Sequence, residues 1–320
     1  MNVTELKNKV TGGYQISKKD ALLLAGAELE ELCRAADKVR LHFCGNRFDM
    51  CSIINAKSGR CPEDCKYCAQ SAHYETALET YPLLDEDTVI NAALKNQAKG
   101  VLRFSAVTSG DSLTDSEVGL LCKMYAGIKN VCAIGLCSSN GLLSYDQFAR
   151  LRQSGVERYH CNLETSRRYF PYICSTHTYE DKLSTIRLAQ RAGMEVCSGG
   201  IIGMGETMED RIDMALELRG LGIKSVPLNI LNPIPKTPFE KLNILHCEEV
   251  RRTVAVYRFI LPDSAIRLAG GRNLMQDKGK SIFLSGANAA ISGDLLTTEG
   301  VGTDEDTIML KELGFEVKAL

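Results

Sequence analysis

The chain has 320 residues, and its 38 lysines and arginines against 40 acidic residues, intermixed to a net charge of −2, exclude nucleic acid and other polyanions as expected partners. The N-terminus, Met1-Asn-Val-Thr-Glu-Leu-Lys-Asn8, lacks the apolar core of a signal peptide, and no apolar run reaches membrane-spanning length. Thirteen cysteines then read as reduced thiols, not as a disulfide framework, and the expected setting is the cytoplasm of an anaerobic or strongly reducing cell.

Residues 1–45 read as a helical segment. Ser17 to Asp20 offer caps, and Ala21 to Leu24, Leu29, Leu32 and Ala35 recur at helical spacing. Short apolar or β-branched runs follow at 50–55, 101–107, 131–137, 157–163, 195–202, 225–230, 264–269 and 287–292. Between them lie amphipathic stretches at 86–99, 114–128, 143–154, 179–193, 206–220 and 246–260. Alternating strand and helix predicts an α/β fold with a parallel sheet, and eight repeats predict a (β/α)8 TIM-type barrel over residues 46–300. A tail, 301–320, is expected to pack on the barrel. The competing open doubly wound sheet lacks a Gly-x-Gly-x-x-Gly turn after the first strand.

Just past the first strand, Cys61, Cys65 and Cys68 stand in Cys-x3-Cys-x2-Cys spacing. This is one thiolate short of a structural zinc site or of a four-cysteine cubane. Three thiolates on a tight loop leave one iron of a [4Fe–4S] cluster open, where S-adenosylmethionine (SAM) can bind through its amino and carboxylate groups. A zinc site completed by a distant ligand is the alternative. The spacing resembles the radical SAM signature, with Tyr67 where that family commonly carries an aromatic residue.

Catalytic groups of such barrels lie at the C-terminal strand ends. Asn162 and Glu164 close the fourth predicted strand, Cys197 opens the fifth, Asn229 ends the sixth, and Arg267 lies within the seventh. Glu164 suits either a ribose diol or the cap of a helix starting near Ser166. Arg267 suits either a site or a buried ion pair with a barrel carboxylate. The glycine-rich run 199–206 reads as close backbone approach or as a loop beneath a bound nucleoside.

The stretch Cys61–Ser71, with Tyr159–Ser166, Val196–Glu206, Ser225–Asn229, Ile266–Arg272, Gly286–Asn288 and Leu295–Thr298, resembles the biotin synthase family over about residues 40–300. The resemblance implies radical-mediated insertion of sulfur between C6 and C9 of dethiobiotin, with an auxiliary iron–sulfur cluster as the sulfur source. It implies that Cys61, Cys65 and Cys68 hold the [4Fe–4S] cluster. Asn162, Glu164 and the backbone near Ile201 would contact SAM. Asn162 and Asn229 would bind the ureido ring, and Thr297 and Thr298 the carboxylate. A flavodoxin or ferredoxin as electron donor and a homodimer are implied as well.

The auxiliary site departs from the family pattern. Cys137, Cys197 and Arg267 match its ligands, but the remaining cysteine position is Ser105, a poor iron ligand. Cys51, on the first strand, is expected to join Cys137 and Cys197 around a [2Fe–2S] or larger cluster, with core packing as the alternative. Cys44, Cys132 and Cys161 are the other nearby candidates. Cys33, Cys122, Cys174 and Cys247 read as ordinary residues. Rival readings are a lyase or maturase of the same superfamily, and a non-catalytic iron–sulfur sensor.

Overall fold

The computed structural model describes residues 2–320. Three helices precede the sheet: α1 (Val3–Thr11), α2 (Lys18–Ala25) and α3 (Leu29–Cys44). The repeats follow as β1 (Arg47–Lys57), α4 (Glu86–Ala98), β2 (Arg103–Thr108), α5 (Asp115–Val131), β3 (Gly135–Ser139), α6 (Tyr145–Gln153), β4 (Arg158–His160) and α7 (Tyr179–Arg191). Then come β5 (Glu195–Cys197), β6 (Gly200–Ile202), α8 (Met208–Gly220), β7 (Ser225–Ile230), α9 (Cys247–Ile260), β8 (Ala265–Leu268), α10 (Lys280–Phe283) and β9 (Ala289–Ile291). The chain ends in α11 (Thr303–Glu312) and β10 (Glu316–Val317). Every named pairing is parallel, and β1 pairs with both β2 and β9, which closes the barrel. The expected (β/α)8 architecture is what the chain adopts.

Helix starts are written locally. Thr114 with Glu117, Ser144 with Gln147, Thr178 with Asp181 and Thr207 with Asp210 form capping boxes at α5, α6, α7 and α8. The N-terminal helices dock beside α8 and α9 through Lys18–Asp213 (2.7 Å), Arg219 to the Ile16 carbonyl (2.9 Å) and Arg251–Glu30 (2.7 Å). At the other terminus β10 extends the sheet beside the first residues of β1. The buried pair Arg272–Asp306 (2.7 Å) holds α11 against the barrel, and Ser292 donates to the same carboxylate.

Three strand boundaries differ from expectation. The run at 131–137 is helical through Val131 and turns to strand only at Gly135, so Cys132 ends α5 and does not begin a strand. The run at 157–163 pairs as a strand only over Arg158–His160. The run at 195–202 is interrupted at Ser198–Gly199, although both pieces keep one register against β7, Cys197 opposite Ser225 and Gly200 opposite Leu228. The break faces Pro227, which has no N–H for the ladder. The glycines let backbones close in: a Cβ on Gly199 would lie 1.9 Å from the Pro227 carbonyl oxygen, and one on Gly200 2.3 Å from that of Glu164.

Asp210 joins this region to α8. Its carboxylate accepts from Thr207 N (2.9 Å), Thr207 Oγ1 (2.7 Å), Ser166 Oγ (2.6 Å) and Arg168 Nε (3.0 Å). Burial opposes the charge, but Arg168, Ser166 and Thr207 hold the carboxyl well below the usual range. A depressed folded-state pKa gives stability that is present above about pH 4 and lost as pH falls further. Asp210→Ala should cost about 2–4 kcal/mol, from the lost cap and unpaired partners. A urea-denaturation midpoint unchanged at pH 7 would contradict this.

Candidate active site

An elongated cavity of about 410 Å³ runs from the barrel interior to the C-terminal strand ends. Every site residue expected from the sequence lines it except Cys65: Cys51, Cys61, Tyr67, Cys68, Cys137, Asn162, Glu164, Cys197, Ile201, Asn229, Arg267, Thr297 and Thr298.

The cysteine loop leaves β1 through a turn in which Gly59 and Arg60 both have positive φ. Cys61 N donates to Gln70 O (3.0 Å), Ala72 N to Cys61 O (2.8 Å) and Cys68 N to Cys65 O (3.0 Å), so the loop folds back on itself. A second segment clamps it from outside. Lys66 N donates to Ile173 O (2.9 Å), Ser175 N to Asp64 (2.8 Å), and the His177 ring lies 2.5 Å from Glu63. The Cys65 sulfur lies 3.7 Å from Cys174, and Cys174 lies 3.2 Å from His177. Cys65 donates to Cys174, whose thiol is pulled down to about 4 by that bond and then, against burial, by His177 and Thr176. From sequence Cys174 reads as an ordinary residue; its spacing to His177, Cys174-x-x-His177, is the available signal of this contact. Three soft donors on one loop, two facing the cavity, fit a cubane with one open iron.

The middle of the cavity is polar backbone held by amides. Glu164 has φ +68° and bridges to Gly200; its N donates to Gly199 O (3.1 Å) and its O accepts from Ile201 N (2.8 Å). No helix begins at Ser166, whose hydroxyl serves Asp210 and Tyr169 N, so Glu164 is not a helix cap. Asn162 accepts from Gly199 N (3.0 Å) and donates to Glu164 (3.3 Å). Asn229 donates to Gly200 O (3.2 Å) and accepts from Gly270 N (2.9 Å). Each amide keeps one N–H and one lone pair for a ligand. Lys182 of α7 also lines this wall, where Cys161 and Glu164 favour its charge against burial. Sequence reasoning missed it, although a lysine in the first turn of a helix runs against the helix dipole.

The floor of the cavity gathers thiols and guanidiniums. Strand register sets Cys51 opposite Arg103, Ser105 opposite Cys137, Cys137 opposite Arg158 and His160 opposite Cys197. Arg267 meets Asp49 Oδ1 (3.1 Å), the Asp49 and Ala290 carbonyls (2.8 and 3.0 Å) and the Cys51 sulfur (3.2 Å). Both sequence readings of Arg267 therefore hold: it pairs with a barrel carboxylate and borders the thiols. Burial pushes the Cys51 thiol up to about 12 and Cys137 up to about 11. Cys197 comes down to about 7, because His160, Arg267 and Arg158 outweigh burial. The Ser105 hydroxyl is buried with no hydrogen-bond partner. Three convergent soft donors, with guanidiniums to balance anionic sulfur, fit an iron–sulfur cluster. Cys44, by contrast, lies against Arg258 and Pro262 at the end of α3, away from this floor.

Comparison with known proteins agrees with this layout. Residues 56–218 match the model of the radical SAM superfamily, and residues 227–316 match that of the biotin and thiamin synthesis associated domain. The chain is 56% identical to biotin synthase of Akkermansia muciniphila over 98% of both chains, and 55% identical to that of Clostridium botulinum strain Hall over 99% of both. This chain belongs to the biotin synthase family. The radical SAM match carries the cysteine loop, Asn162 and Glu164. The second match carries Asn229, Arg267 and the Thr297–Thr298 pair, so the biotin synthase cavity draws on both. Among solved structures, a methylornithine synthase superposes with TM-score 0.86 at 19% identity, over 98% of this chain and 97% of that one. A maturase of the [FeFe]-hydrogenase gives 0.83 at 17%, over 98% and 74%. At those identities the likeness is one of fold alone.

Proposed function

We propose that this enzyme closes the thiophane ring of biotin by inserting sulfur between C6 and C9 of dethiobiotin. The observation that carries this reading is a single cavity with the three-cysteine loop at its mouth, a thiol–arginine floor at its base, and two half-satisfied asparagine amides between. A non-catalytic sensor has no use for that middle wall. When bound, the [4Fe–4S] cluster and SAM supply 5′-deoxyadenosyl radicals that remove one hydrogen from each carbon, and the auxiliary cluster supplies the sulfur.

Cys61, Cys65 and Cys68 would hold the first cluster, with the Cys65 sulfur turned to iron and away from Cys174. Glu164 would accept from the ribose diol, and the closely packed backbone of Gly199, Gly200 and Ile201 would contact the nucleoside. Asn162 and Asn229 use their remaining N–H and lone pair on the ureido group, while Thr297 and Thr298 take the carboxylate. Fixing both ends of the substrate sets C9 and C6 for reaction, since such chemistry depends on placement of the reacting atoms. Cys51, Cys137 and Cys197 would hold the auxiliary cluster. Arg267 is the neighbouring cation that the resemblance also counts among its ligands.

An anaerobic single-turnover assay with SAM, a low-potential reductant and dethiobiotin tests this by mass spectrometry. Biotin with two deoxyadenosines per product is expected. Deoxyadenosine without biotin or a thiolated intermediate, from protein carrying both clusters, would discard the substrate. Asn229→Ala should lower kcat/KM for dethiobiotin about a hundredfold, or ~2.7 kcal/mol, through lost substrate bonds and unpaired Gly200 and Gly270 backbone. An unchanged value would remove Asn229 from the substrate site.

The proposed electron donor is a flavodoxin or ferredoxin, and the proposed assembly a homodimer. No helix among the described residues is long and apolar enough to cross a membrane. The proposed location is the cytoplasm, where thirteen free cysteines would stay reduced.

A further inference from the structure

We propose that His160 is a fourth protein donor to the auxiliary cluster, binding iron through its imidazole beside Cys51, Cys137 and Cys197. This rests on the auxiliary site proposed above and adds a ligand that the sequence reading did not contain.

Placement comes first. His160 is the last residue of β4, in register with Cys197, and lines the cavity with all three thiols. It lies two residues beyond Arg158, which is in register with Cys137. A strand repeats its facing every second residue, so Arg158 and His160 both point into the barrel. Cys51, Cys137, Cys197 and His160 therefore enter one space from four different strands, β1, β3, β5 and β4.

The ring is also available. His160 is the neighbour that does most to draw the Cys197 thiol down, so the ring lies beside that sulfur. A neutral imidazole has one donor and one acceptor nitrogen, so the nitrogen not turned to Cys197 can serve iron. Arg267 differs on this point. Its Nη1 already serves two carbonyls and Cys51, and its Nη2 faces Asp49.

Donor arithmetic then favours His160. A four-iron cluster takes about one protein ligand per iron. With serine at position 105, the floor offers three thiols and one imidazole. Imidazole is a good iron ligand, and where it replaces thiolate in iron–sulfur centres the potential rises. Such a cluster carries less negative charge than an all-thiolate one.

The test uses the full-length holoenzyme with both clusters reconstituted anaerobically and reduced by one electron, prepared with natural-abundance or ¹⁵N-labelled histidine. Pulsed EPR should detect a strongly coupled nitrogen whose frequencies change with the label; the amino nitrogen of SAM carries no label and cannot imitate this. The coupling should vanish in His160→Ala. Absence of any strong label-sensitive coupling in the wild-type enzyme, with iron and sulfide sufficient for two clusters, would overturn His160 as a ligand while leaving the auxiliary site standing. Weak coupling alone, as expected for a hydrogen bond to Cys197, would overturn it equally. Iron and sulfide sufficient for only one cluster would overturn both the ligand and the auxiliary site.

Discussion

With Cys68 replaced by alanine, reductive cleavage of SAM falls by at least about a thousandfold, because the group that makes the reaction possible no longer assembles. The measurement is 5′-deoxyadenosine from anaerobically reconstituted protein. Burial pushes the Cys68 thiol up to about 11, against backbone N–H groups of Gln70 and Ser71 that favour its thiolate. A metal that displaces the proton removes that penalty, so the site gains most from Cys68 when iron is bound. Alanine leaves one iron without a protein donor, and the loop, anchored outside by Asp64, Glu63 and Lys66, cannot bring in a replacement from the cavity wall. Normal deoxyadenosine yield with native circular dichroism would refute the three-cysteine assignment.

Cys51→Ala should separate the two halves of the chemistry. Iron and acid-labile sulfide fall to what one cluster holds, biotin falls by at least about a thousandfold, and deoxyadenosine still forms with dethiobiotin bound. The reasoning is local: Cys51 contacts Arg267 at 3.2 Å and faces Cys137 and Cys197, while Ser105 offers only a hydroxyl. If the second cluster's iron, spectrum and biotin yield were all unchanged, Cys51 would be a core residue and nothing more.

Much of this was legible because the chemistry is written in short stretches. Cys61, Cys65 and Cys68 share one loop, and Asn162, Asn229 and Arg267 stand out as polar residues in apolar strands. Strand and helix alternation was enough for the barrel. What stayed hidden depends on register between distant strands: that Asp49 underlies Arg267, that Arg103 and Arg158 flank the thiols, and that His160 faces Cys197. The approach of Cys174 to Cys65 is hidden for the same reason, the two being joined only by the folded chain. The misplaced start of β3 has another cause. An apolar run such as Val131–Ile134 reads alike as helix end or strand start, and α5 took its first residue.

Strand β1 carries Cys51 in its middle and leads straight into the loop of Cys61, while its edges pair with β2, β9 and β10. On the proposed assignment it is a yardstick between the place where radicals arise and the place where sulfur is stored. That interval is fixed by covalent geometry, not by the docking of two movable bodies. One extra residue inserted between Cys51 and Asn55, ahead of the register shift that β1 already carries at Asn55–Lys57, would turn Cys51 outward or move the cysteine loop by one strand position.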